Sequence, residues 1–203
     1  ESAKTSLTAI DMIRQGQIYE QKEAYERAFT SYSRAIELDP ESAMAYTNRG
    51  RILAARGDLG GATDDFRRAI ELDPEDAIPY IALGHVRQRR GDMDGAIADF
   101  TRAIERDPRL VNAYRARGAA RKMKGDLEGA FADYDQAIEM DPLDAYAFND
   151  RGAVRETMKD LEGAIADYDR AIEIDPGSIV SYNNRGNARL MKGDLNGAIE
   201  DYT

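Results

Sequence analysis

The sequence predicts an all-α protein built from repeated antiparallel helix pairs, and three observations predict it: a dipeptide returning at a fixed interval, a helical apolar period between its occurrences, and a Gly-Asp punctuation midway. Asp39-Pro40, Asp73-Pro74, Asp107-Pro108, Asp141-Pro142 and Asp175-Pro176 follow one another at steps of 34 residues. The units are residues 9–42, 43–76, 77–110, 111–144, 145–178 and an incomplete 179–203, preceded by an extension at 1–8. That makes five full repeats and a partial sixth.

Each unit reads as two helices. In the fourth, Tyr114, Gly118 and Arg121 fall on one face at helical spacing, and Ala130, Tyr134, Ala137 and Ile138 do so in its second half. Gly125 suits the left-handed position that ends the first helix, and Asp126 suits the cap of the second. Gly57-Asp58, Gly91-Asp92 and Gly193-Asp194 repeat the device, whereas Lys159-Asp160 keeps the cap and loses the glycine. Proline then closes the pair, because it disfavours helix at the residue before it and brings no N–H. First helices are predicted near 9–22, 43–56, 77–90, 111–124, 145–158 and 179–192. Second helices are predicted near 25–38, 59–72, 93–106, 127–140, 161–174 and 195–203, with no strand.

Composition narrows the function. Of 203 residues, 42% are hydrophobic and 33% charged with both signs interspersed, which describes a folded chain rather than a disordered one. The formal net charge of −10 argues against nucleic acid as principal partner, since that binding neutralises phosphates with a basic face. There is no cysteine, and so no disulfide, thiolate zinc site or cysteine nucleophile. No apolar run approaches the roughly 18 to 20 residues of a membrane span, so no membrane insertion is expected. The compartment stays open between cytoplasm and, if an export signal has been removed, periplasm. No cofactor or metal site is expected.

The repeat resembles the tetratricopeptide repeat (TPR). The family's large residue early in the first helix corresponds to Met12, Tyr46, Tyr80, Tyr114, Phe148 and Tyr182, and its small residue four places later to Gly16, Gly50, Gly84, Gly118, Gly152 and Gly186. Its alanine, aromatic and alanine of the second helix correspond to Ala62, Phe66 and Ala69, and to Ala164, Tyr168 and Ala171. The resemblance covers nearly the whole chain from Ala9 and implies a right-handed superhelical solenoid whose first helices line a concave groove that binds protein or peptide. Some relatives grip a terminal carboxylate with a basic and asparagine clamp. Here the matching places hold Ile13, Gln17, Asn48, Ile78 and Ala82, so that clamp is absent.

One departure suggests an ion-pair ladder. Arginine stands just before the glycine at Arg49, Arg117, Arg151 and Arg185, and three residues after it at Arg87, Arg121, Arg155 and Arg189. Aspartate precedes the second-helix aromatic at Asp65, Asp99, Asp133, Asp167 and Asp201. The first unit has Gln15, Tyr19 and Ser31 instead, and this joint loss points to arginine–aspartate pairing between the helices of a unit.

The expected groove lining changes along the chain. Ile10, Ile13, Met44, Ala54, Ala55, Ile78, Ile81 and Ala82 make an apolar tract. Arg51, His85, Arg89, Arg115 and Lys122 follow, and Asn149, Asp150, Glu156, Asn183 and Asn184 form a polar end. An extended peptide with apolar anchors and an acidic stretch suits this lining. His85, the only histidine, has no cysteine or second histidine with which to share a metal or build a triad. The reading is a non-catalytic scaffold. The alternatives are the substrate-recognition part of a larger enzyme, such as a glycosyltransferase, and a self-assembling array. The internal pattern persists to Tyr202-Thr203, which predicts an exposed apolar end formed by Ala198, Ile199 and Tyr202, continuation of the natural chain past Thr203, and homo-oligomer contact through that end.

Overall fold

The structure, a computed structural model, describes residues 8–203; the predicted extension at 1–8, apart from Thr8, lies outside the described residues. All described elements are α-helices. The chain divides into two compact units that meet between Asp107 and Pro108. The first contains α1 (Ala9–Gln21), α2 (Tyr25–Leu38), α3 (Ala43–Ala55), α4 (Leu59–Leu72), α5 (Ile78–Arg89) and α6 (Met93–Arg106). The second contains α7 (Val111–Lys124), α8 (Leu127–Met140), α9 (Ala145–Thr157), α10 (Leu161–Ile174), α11 (Ile179–Lys192) and α12 (Leu195–Tyr202). The helices follow the predicted ones within a residue at each end.

The punctuation acts as its chemistry requires. Asp58, Asp92, Asp126, Asp160 and Asp194 each accept the backbone N–H of the glycine three residues on, capping α4, α6, α8, α10 and α12. Gly57, Gly91, Gly125 and Gly193 lie at φ between 81° and 89°. Lys159 holds the same left-handed conformation at φ 70°, and Glu23 at 55°, each with a Cβ that opposes it. The aspartates before proline are extended, from φ −143° at Asp39 to −124° at Asp175, so each second helix stops there.

Within each unit the helices pack in order, and α3 also touches α5, as α9 touches α7 and α11. Within each unit the first helices therefore share one layer. Tyr32, Phe66, Phe100, Tyr134 and Tyr168 are almost completely buried. Each ring fills the space left by the glycine of its own first helix: a Cβ on Gly84 would come within 2.6 Å of Phe100. Truncating such a ring to alanine costs about 3–5 kcal/mol. The hydroxyls of two of the tyrosines have carboxylate acceptors. Tyr32 donates to Glu20 and Tyr168 to Glu156 at 3.1 Å, whereas Phe66 and Phe100 occur where the residue twelve places earlier is Ala54 or Gln88.

The ion-pair ladder is present. Arg49 binds Asp65 through Nε at 2.8 Å and Nη2 at 2.7 Å. Asp133 receives Arg117 and Arg121, Asp167 receives Arg151 and Arg155, and Asp201 receives Arg185 and Arg189. Two arginines also reach backwards: Arg151 Nη1 lies 2.5 Å from Asp135 and Arg185 Nη1 2.6 Å from Asp169, tying successive second helices through the first helix between them. In the first repeat Gln15 bonds Tyr19 at 3.4 Å and Ser31 is buried in the aspartate's place. At the chain's last helix, Ile199 and Tyr202 are exposed as expected, but Ala198 is buried against α11 rather than open.

Candidate functional site

The first helices of the two units collect positive charge. The six first helices hold fifteen arginines and lysines against four aspartates and glutamates, in a chain whose net charge is −10. Eight of those arginines belong to the ladder, so the charge on the face itself depends on what the remainder do.

In the first unit, Ile10, Met44 and Ile78 stand at the same place on α1, α3 and α5, and are 62%, 57% and 46% exposed. They form a stripe of one apolar residue per repeat. Ile13 and Ile81, expected beside them, are buried at 6% and 7%. They do not line a surface, because an apolar side chain at that margin turns into the core. Arg51 remains half exposed, 3.7 Å from Glu20. Arg89 donates to the carbonyl oxygen of Ala54 at 2.6 Å, adding a second donor to an acceptor near the end of α3 that also takes the Gly57 N–H at 3.1 Å. His85 is exposed, yet its ring packs edge-on against Phe100 at 5.1 Å, and the desolvation on that side lowers its pKa. Asn48 was read only as part of a missing clamp. It is 7% exposed, and its amide nitrogen has no partner.

In the second unit the expected cations are matched by carboxylates. Arg115 lies 3.2 Å from Asp144 and over the ring of Tyr146 at 5.1 Å, while Asp144 also caps α9. Burial raises the pKa of Asp150, with the positive charges of Lys122 and Arg115 opposing it. Asn149 accepts the Asn184 amide at 3.0 Å and the Ser181 hydroxyl at 3.4 Å. Asn183 is exposed and turns instead toward Tyr202 and Glu200, beside a separate hollow. A cavity of about 370 Å³ opens between α9 and α11, with Tyr146, Ile179 and Val180 as apolar walls and Asn149, Asp150 and Ser181 below them. Sequence reasoning missed Tyr146 and Val180, although both occupy the place of Met44 in their own repeats.

Among the described residues no group of three or more histidines and carboxylates is placed to hold a metal ion, and no helix is long and apolar enough to cross a membrane.

A layer of first helices backed by second helices, with glycine-aromatic contacts at a fixed repeat, defines a helical-repeat protein. Residues 15–82 and 81–137 match families described as tetratricopeptide repeat, and residues 158–193 match one described as TPR repeat. Together these cover most of the chain, which belongs to the tetratricopeptide-repeat proteins. No curated protein sequence matches it significantly. Among solved structures it is similar to MamA, with 26% identity over 75% of this chain and 90% of that one and a TM-score of 0.70. It is also similar to YrrB, described as a TPR protein with an unusual peptide-binding site, at 26% identity, 85% and 89% coverage and TM-score 0.69. PilW, a type IV pilus biogenesis factor, shares the fold at TM-score 0.87 over 95% of this chain and 90% of its own, with 18% identity.

Proposed function

We propose that the chain is a non-catalytic scaffold that binds a protein or peptide segment along the face of its first helices. The observation that carries this reading is the exposed apolar residue recurring at one place per repeat: Ile10, Met44 and Ile78 in the first unit, and Tyr146 and Val180 in the second. A helix position that faced only water would gain nothing from an apolar side chain in five of six repeats, whereas an interface anchors on such groups. The likeness to YrrB, a peptide-binding TPR protein, supports the same use of the fold.

A photo-crosslinking amino acid placed at Met44 tests this, with Glu128 on a second helix as the control position. The native partner should be captured from Met44 and not from Glu128, and the capture should disappear when Ile10 and Ile78 are changed to glutamate. Equal capture from both positions, or capture that survives the glutamates, overturns the reading.

A further inference from the structure

The cavity between α9 and α11 has features of a built subsite. Its apolar walls are large side chains left open: Ile179 is 74%, Tyr146 69% and Val180 60% exposed. Tyr146 is held in place, because the Arg115 guanidinium stacks on its ring and is itself fixed by Asp144. A wall that is already ordered loses little conformational entropy when something packs against it. The floor is ordered too. Ser178 and Ser181 hydroxyls lie 2.9 Å apart, and Ser181, 1% exposed, reaches Asn149, which is occupied in turn by Asn184.

Charge decides what fits. The lining contains two carboxylates, Asp150 and Asp175, and no basic side chain. Arg115 and Lys122 act on Asp150 from α7, and neither lines the cavity. The cationic face that the sequence suggested for an acidic partner is therefore absent at this place; the cavity offers apolar walls beside negative charge. We propose that it receives one aliphatic or aromatic side chain of an extended segment whose neighbouring residue is lysine or arginine, the cation lying against Asp150 and Asp175. This rests on the reading of the first-helix face as a peptide-binding surface and gives that surface, in the second unit, a preference for an apolar-basic pair.

The probe is the capped hexapeptide acetyl-Ser-Gly-Leu-Lys-Gly-Ser-amide, titrated into the uniformly ¹⁵N-labelled intact chain and followed by amide chemical shifts. Saturating shifts should appear at Tyr146, Asn149 and Val180. Replacing leucine by alanine, or lysine by glutamate, should each weaken binding about tenfold, the loss typical of one buried branched side chain or one close charge pair. Val180→Asp, at a position too exposed to endanger the fold, should abolish the shifts, and Asp150→Asn should erase the preference for lysine over glutamate. Equal or tighter binding of the glutamate peptide overturns the proposal. So does binding that Val180→Asp leaves intact, or the absence of shifts at α9 and α11. If shifts instead gather at Met44 and Ile78, the first-helix face still binds peptide and only this pocket's assignment is lost.

Discussion

Asp167 is the sharpest place to test the ladder, since its carboxylate is 4% exposed and takes both Arg151, at 2.6 Å, and Arg155, at 3.0 Å. Asp167→Ser leaves Arg155 with the Gly163 carbonyl and a distant Asp160, and Arg151 with the half-exposed Asp135 as its remaining carboxylate, each guanidinium still over the Phe131 ring. Removing one member of a buried pair typically costs about 3–5 kcal/mol, much of it from the charge left behind. The first repeat supplies the control, because Gln15, Tyr19 and Ser31 fill the same three places without charge. The triple change Arg151→Gln, Arg155→Tyr and Asp167→Ser should therefore cost less than Asp167→Ser alone, by at least about 1 kcal/mol. Urea unfolding is the suitable assay, since guanidinium would screen the pairs, and hydrogen exchange at α9 and α10 should report the local loss because repeat arrays need not unfold as one step. A triple variant as unstable as the sum of its parts would show that the arginines and the aspartate act independently.

Three further outcomes follow from particular residues. Lys159→Gly should raise stability by about 1 kcal/mol, since it removes a Cβ from φ 70°, and an unchanged or lower urea midpoint would contradict the strain argument. Gly118→Ala should be nearly neutral and Gly84→Ala should destabilise by about 1–3 kcal/mol, because the added Cβ meets a ring at 3.1 Å in the first case and 2.6 Å in the second; denaturation of both variants checks the order. Asp99 has no ladder arginine before its glycine, where Leu83 stands. Its Oδ2 lies 3.1 Å from Arg87 without hydrogen-bond geometry, and burial raises its pKa. A carboxyl so raised contributes stability below its unfolded pKa of about 3.9 and loses it as pH rises through the folded value. Asp99→Asn should consequently gain on the native chain between pH 4 and pH 7, as read from paired urea midpoints at each pH; a loss over that range would refute the assignment.

Nearly all of the fold was legible in the sequence because its determinants are local and recur along the chain: five capping aspartates, four left-handed glycines, and five aspartates that the following proline holds extended. The ladder was legible for a different reason. Three residues vanish together in one repeat, and a chain that carries its own comparison exposes the coupling. The surface was harder. Ile13 and Ile81 share a helix position with Arg115, Asn149 and Asn183, and that position lies at the margin where an apolar side chain turns inward and a polar one turns outward. Arg89 and Arg115 could be counted as charges, but their commitments to Ala54 and to Asp144 depend on a neighbouring helix whose approach only the packed structure defines.

The arginines that reach backwards carry a genetic consequence. Asp135 and Asp167 each lie 16 residues from Arg151, one before and one after, and Asp169 and Asp201 flank Arg185 in the same way. Because the repeat is 34 residues long, Asp169 occupies in its own repeat the place that Asp135 occupies one repeat earlier. A tandem in-frame duplication of residues 145–178 places the copied Arg151 16 residues after Asp169 and 16 before the copied Asp167, and deletion of the same stretch leaves Arg185 16 residues after Asp135. An insertion or deletion that falls between one of these arginines and its aspartate, and is not a whole number of repeats, changes the spacing of that pair. This half of the protein is thus able to lengthen or shorten by whole repeats with its charges still matched, and a new repeat is bound to both neighbours from the generation in which it arises.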